Sequence, residues 1–425
     1  MDRFENACNE YRQLSRRKFL GGAAAMSAMA TLPVWAPRLA FAQDSSIKDT
    51  VVLIYLMGGC DGLTTLVPHG DPLYYALRPT TAVPQPGSGS SYRATDINGY
   101  WGLPPALSIL KPIFDGQHLG IIPAVGRANY TRSHFEAQAW MQLDSKNVED
   151  GGWIARHLLS SSPIKPDAAV RAFTHSALTP LCLAGAPQLI SSGKPESLGL
   201  GGNLQGGDEV LDSITRIYSR VKDETRHLVQ NARRTIDTFS GIDFEAPAVG
   251  ANPYEDTELG NALKHIASMI KADIGLEIAH VSRAGWDTHA GQGTNGGLLH
   301  VMLTELGNAL HTFYHDLTNS GKTNWTVVVI SEFGRQVAEN GSFGTDHGTG
   351  GTVFTMGPNV IGGIHGTWPG LEHENLYEGV DVMPTTDDRD ILGDLLQCRL
   401  QNGNTQLVFP SKSIPSQPQG FFKAA

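Results

Sequence analysis

Four cysteines in 425 residues are too few for a disulfide-built scaffold. Cys8 lies near the amino end, which leaves Cys60, Cys182 and Cys398. Three thiols cannot all pair within one chain, and their spacing fits no zinc motif. Buried thiols with at most one disulfide are expected. Basic residues are also in short supply, 32 Lys and Arg against 42 Asp and Glu. This balance excludes an electrostatic footprint for nucleic acid and gives little attraction to anionic lipid. After residue 42 no apolar run approaches the ~20 residues of a membrane-spanning helix. There is no internal repeat. A G-x-S-x-G elbow is missing, so a serine esterase with a Ser-His-Asp triad lacks its signature.

The amino-terminal segment stands apart. Ser15-Arg16-Arg17-Lys18-Phe19-Leu20 sets two arginines before an aromatic and a leucine, ahead of an Ala-rich run. Ala40-Phe41-Ala42 gives a small-x-small cleavage pattern. The arginine pair is the address read by the twin-arginine translocase, which is the expected partner during export. Gly21, Gly22, Pro33 and Pro37 argue against a membrane anchor. Residues 1–42 are thus expected to be a signal peptide. Residues 43–425 would then work as one domain in the periplasm or outside the cell, with no stable anchor after cleavage. Removing residues 1–42 takes away six basic and three acidic residues, leaving 26 and 39 and a formal net charge of −13.

Alternation of strand and helix signals predicts an α/β fold with a mainly parallel sheet. Strands are expected at Val51–Met57, Leu119–Val125, Glu277–Ser282, Thr326–Ser331 and Thr352–Met356. Helical patterns cover Asp208–Phe239, Asp256–Asp273 and Gly297–Thr318, and a helical insertion is expected over about 205–273. Residues 84–98 read as a surface loop, and 241–255 as a connection.

In open α/β sheets, ligands gather at the carboxyl ends of strands. Five polar clusters are candidates on that test. Gly58-Gly59-Cys60-Asp61-Gly62 follows the first strand, and Asp61 reads either as a metal ligand or as the cap of the next helix. Its glycines fit neither G-x-G-x-x-G nor a Walker loop. Arg132-Ser133-His134-Phe135-Glu136 opens a helical pattern. Ser133 with Glu136 reads as a capping box, or as a nucleophile in the positive potential of a helix start. Arg127 and Arg132 are candidates to hold phosphate or sulfate oxygens. Asp287 and His289 are spaced to reach one metal from a loop. Ser331-Glu332-Phe333-Gly334-Arg335 ends a strand, and Asp346-His347 precedes one instead of following it. All five hold an acid, which together point to a metal-centred hydrolase site.

The segments M-G-G-C-D-G-L-T-T-L-V-P, R-S-H-F-E-A-Q, W-D-T-H, S-E-F-G-R and G-T-D-H-G-T-G-G occur in order across nearly all of residues 43–425. Together with the signal, they resemble the exported bacterial family called domain of unknown function 1501, of the alkaline phosphatase-like superfamily. The resemblance implies an α/β/α sandwich with one or two divalent metals (Zn, Mn, Mg or Ca) and a nucleophile that attacks phosphate or sulfate esters. It implies Asp61, Asp287, His289 and His347 as metal ligands and Ser133 as the nucleophile, with Arg132 helping to hold a small or polymeric ester. Glu332 stands where the superfamily has an Asp-His pair, and Phe333 cannot bind metal. One metal site would then be rebuilt with Asp346 or lost, leaving a one-metal centre. The competing expectation is a non-catalytic binding or assembly protein that retains the fold.

Overall fold

The computed structural model describes residues 48–128, 131–145, 147–198, 207–218 and 224–425. The expected signal peptide lies outside the described residues. Eight strands form one sheet: β1 (Thr50–Met57), β2 (Leu119–Val125), β3 (Ala172–Thr174), β4 (Leu189–Ser191), β5 (Ile278–Ala284), β6 (Trp325–Ser331), β7 (Gly351–Met356) and β8 (Gly363–Ile364), in the order β8-β2-β7-β6-β1-β5-β3-β4. The helices that matter below are α1 (Gly62–Thr65), α2 (His134–Leu143), α3 (Trp153–Leu159), α4 (Gly207–Tyr218), α5 (Glu224–Ser240), α6 (Glu258–Lys271), α7 (Leu298–Asn319) and α8 (Asp388–Cys398). No helix among the described residues is long and apolar enough to cross a membrane.

β1 explains the layering. Its Val51-Val52-Leu53-Ile54-Tyr55 run is apolar without alternation, the signature of a strand covered on both faces. Val52, Ile54 and Leu56 join a core with α6 and α7, whereas Val51, Leu53 and Tyr55 join a second core with α3 and α8. The result is helices over both faces of a mainly parallel sheet. α6 is part of the first core through Leu259, Leu263 and Ile266. The three cysteines within the described residues are buried free thiols.

Register brings the loops level. Met57 of β1 lies beside Ala284 of β5, and Leu56 beside Ser331 of β6, so all three strands release their loops at one height. β7 runs antiparallel to both neighbours, β2 and β6. Its first residue, Gly351, therefore faces Val125 at the carboxyl end of β2. This direction explains why Asp346-His347, which comes before its strand, still arrives at the same edge as the clusters that follow theirs.

Two short strands, β3 and the edge strand β4, were not evident in the sequence because three residues carry too little periodicity to read. The capping box expected at Ser133 does not form. Ser133 is the N-cap residue but makes no side-chain capping bond. Glu136 instead accepts a 2.8 Å hydrogen bond from the Thr131 hydroxyl.

Two fully buried histidines contribute to the acid response of this scaffold. Burial pushes His157 on α3 and His280 on β5 down to about 3. The unfolded chain binds these protons near pH 6.5 and the folded chain does not, so stability falls as pH drops from about 6.5 toward 3. Well below pH 6.5 the expected loss is up to about 1.4 kcal/mol per pH unit for each histidine. Denaturant midpoints of metal-free protein between pH 7 and 5 measure it, and a flat profile contradicts it.

Candidate metal centre

Five loops reach the carboxyl edge around β1. The turn after β1 must pass close beneath the β5 loop. Gly58 has φ +126°, and a Cβ there would lie 2.6 Å from the backbone nitrogen of Asp287. Gly59 has φ +70°, and its Cβ would lie 2.5 Å from the Phe333 ring. Glycine is the residue that permits both the backbone angle and the approach.

Arg335, fully buried, ties these loops together. Its guanidinium donates to the carbonyls of Gly58 and Trp286, to Gly59 O at 2.6 Å and to Thr345 O at 2.9 Å. The same group donates to Asp287 Oδ1 at 2.7 Å. One side chain thereby fixes the turns after β1 and β5 and the loop before β7.

Three imidazoles converge on that carboxylate oxygen. Asp287 Oδ1 is 3.1 Å from His289 Nε2, 3.2 Å from His347 Nε2 and 3.5 Å from His134 Nε2. His289 Nε2 and His347 Nε2 are 2.8 Å apart. Their other nitrogens are all held from outside. His134 Nδ1 meets Glu332 Oε1 at 2.8 Å, His289 Nδ1 meets Asp346 Oδ1 at 2.8 Å, and His347 Nδ1 meets Arg132 O at 2.8 Å. A carbonyl or carboxylate oxygen can only accept here, so each Nδ1 carries a proton, and it is Nε2 of each ring that faces inward. This is how metal-binding histidines are oriented. Ligand atoms on a tetrahedral zinc ion are about 3.3 Å apart, matching most of these spacings. The buried His134 Nε2 has no hydrogen-bond partner, the mark of an atom that awaits a ligand. Among the described residues, the ligand atoms of His134, Asp287 and His347 all fall within 4.8 Å of one another.

Electrostatics agree with that geometry. Burial opposes charge on His134, but the carboxylates of Asp287 and Glu332 outweigh it and raise its pKa to about 9. Asp287, followed by burial acting the other way, raises His289. Asp287 itself is held far below the usual carboxylate range: burial opposes this, and three histidines and Arg335 overcome it. In the absence of a metal ion, protons on His134 and His289 supply positive charge beside Asp287.

The structure distributes the expected site residues unevenly. Asp287, His289 and His347 come together. Glu332 and Asp346 stand one step outside, each accepting from a histidine. Both Glu332 oxygens are engaged: Oε1 accepts from Gly58 N at 2.8 Å and Gln138 Nε2 at 2.9 Å, and Oε2 lies 3.1 Å from the Ser331 hydroxyl. Asp61 is elsewhere. It caps α1, is fully buried, and holds Arg78 through contacts of 2.5 and 3.0 Å, with Gln292 and Thr64 completing its partners. Ser133 immediately precedes His134 at the start of α2. Arg132 lends its carbonyl to His347, and its guanidinium pairs with Glu378 at 2.9 Å and Asp381 at 2.8 Å. Phe333 packs against His134 and His347, with ring centres 4.8 and 5.0 Å away. His134 was the residue missed in the sequence. It was masked by the serine before it, although a histidine in the first turn after a strand end was a usable signal.

Two expectations follow. Replacing Asp61 with Ala strands the buried Arg78 charge and should cost about 3–5 kcal/mol of stability without changing metal stoichiometry, read by denaturation and elemental analysis. Loss of metal from a stable Asp61→Ala protein would place Asp61 among the ligands instead. A metal must also displace the His134 proton. Apparent zinc affinity should therefore fall at least about tenfold per unit between pH 8 and 6, measured by competition with a chelator of known pH dependence.

Comparison with solved structures gives distant similarities. "Ps i-CgsB in complex with k-i-k-neocarrahexaose" matches at 9% identity and a TM-score of 0.34, covering 86% of this chain and 73% of that one. The alkaline phosphatase from the Antarctic bacterium TAB5 matches at 10% identity and a TM-score of 0.25, covering 87% of this chain and 100% of that one. A mutant of the same phosphatase with bound Mg matches at 13% identity and a TM-score of 0.22, covering 75% and 95%. No curated protein sequence matches. Residues 214–403, which contain Asp287, His289, Glu332, Asp346 and His347, match the family described as "Protein of unknown function (DUF1501)".

Proposed function

We propose that this chain is an exported, metal-dependent hydrolase of phosphate or sulfate esters. The observation that carries the reading is the convergence of three imidazole Nε2 atoms on Asp287 Oδ1, each ring oriented by an acceptor on its far nitrogen. His134, His289, His347 and Asp287 would hold one divalent ion. Three imidazoles and a single carboxylate suit zinc better than magnesium or calcium, which prefer oxygen. When bound, such an ion supplies positive charge that stabilises ester oxygens and lowers the pKa of a neighbouring hydroxyl.

The chain's own residues supply the rest. Ser133 sits at the amino end of α2, where the helix favours negative charge on its hydroxyl and on an ester. Its Oγ is the proposed nucleophile: it bonds to phosphorus or sulfur as the bond to the ester's alcohol breaks, its proton leaves with that alcohol, and water then cleaves the serine ester to release phosphate or sulfate. Glu332 and Asp346 hold the tautomers of His134 and His289, and Phe333 packs against His134 and His347. Export through the twin-arginine translocase, with residues 43–425 as the working domain, belongs to the same proposal and is supported by Ser15–Leu20 and Ala40–Ala42.

One observation favours a second reading, a non-catalytic binding or assembly protein. The arginines suited to gripping an anionic ester are already paired: Arg132 with Glu378 and Asp381, and Arg127 with Asp388 and Asp144. Ser133→Ala separates the two. On a panel of phosphate and sulfate esters, the variant should lose at least about a thousandfold in kcat with its zinc content unchanged. Full activity in the variant removes Ser133 from the mechanism, and an inert parent with metal bound supports the binding protein.

A further inference from the structure

A second pair of histidines lies beyond β5, toward the β4 edge of the sheet. His175 directly follows β3, and His265 lies midway along α6. Their facing atoms, His175 Nε2 and His265 Nδ1, are 3.1 Å apart. Behind His265, the Glu196 carboxylate lies 3.7 Å from Nε2, in the turn that follows β4. A cavity of about 630 Å³ opens beside the pair, and Lys194, Tyr254 and Asn261 help to line it. It occupies the crevice beyond the carboxyl ends of β3 and β4, where open α/β sheets place their ligands.

His175 Nε2 and His265 Nδ1 face each other as a hydrogen-bonded pair, and the Glu196 carboxylate, 3.7 Å from His265 Nε2, adds negative charge nearby. The 3.1 Å separation is close to the edge of a tetrahedral zinc site, about 3.3 Å. Burial, and after it the neighbouring His265, push His175 down to about 4, and burial lowers His265 as well. Neither ring therefore carries a charge that would repel a cation near neutral pH. Phe244 packs edge-on against His265, with ring centres 5.5 Å apart, and holds its plane.

We infer that His175 and His265 form a second, open binding site for a borderline divalent ion of the zinc class, with the Glu196 carboxylate adding negative charge nearby. Two nitrogens select zinc, nickel or copper over magnesium and calcium. The remaining coordination positions face the cavity and take water or an anionic group, for which Lys194 supplies a nearby positive charge. The site is independent of the ester hydrolase proposal and shares no residue with it.

The test uses the full chain, stripped of metal and titrated with Zn²⁺ alone. Two binding events are expected in the parent. His175→Ala and His265→Ala should each lose one of them and keep the other. Asp287→Ala combined with His347→Ala should show the converse loss. Should both histidine variants bind zinc as the parent does, the pair is only a hydrogen-bonded dyad and the inference is overturned.

Discussion

A single carboxylate oxygen, Asp287 Oδ1, organises the functional edge of this protein. Three imidazole nitrogens and one guanidinium approach it within 3.5 Å. Each approaching group arrives from a different part of the chain, and each is committed on its far side to another element. Moving Asp287 would therefore disturb the turns after β1, β5 and β6, the start of α2 and the loop before β7 together. The fully buried Arg335 makes that dependence mechanical as well as electrostatic. It spans carbonyls of three loops while neutralising the carboxylate at their centre.

Much of this was legible in the sequence, for identifiable reasons. β1, β2, β6 and β7 are long, apolar and bounded by glycine or polar residues, so their positions read to within a residue. The Asp287 and His289 pair was visible because both sit in one short loop. Roles beyond proximity were not visible. Whether an acid touches a metal or the back of a histidine depends on a ring rotation, and no spacing rule encodes that. Glu332 and Asp346 thus looked like ligands, and the structure places them behind His134 and His289. Asp61 offered two readings in the sequence. The cap describes its place here, because Arg78, seventeen residues on, lies against it, a contact no local pattern announces.

The chain treats its histidines in two opposed ways. Around Asp287, carboxylates favour the protonated form of His134, so the metal-free centre stores positive charge. At His175 and His265, burial dominates and both rings stay neutral. Identical side chains thus face cations under different terms, one group exchanging protons for an ion and the other already discharged. Fold similarity at TM-scores of 0.34 and below conveys neither distinction, which rests on individual contacts.

The reversed direction of β7 has a consequence for how the molecule assembles. Within the sheet, β2 is hydrogen-bonded only to β8 and β7, so it joins the central strands through β7 alone. His134 hangs from β2 by a short loop, whereas Asp287 and His289 belong to the β5 side. Residues synthesised as late as 351–356 must slot between β2 and β6 before residue 134 can meet residue 287. The centre therefore depends on a late long-range pairing with a large loop-closure cost. An ion captured there would signal that β7 had been correctly threaded between β2 and β6, and no folding intermediate lacking β7 could retain it.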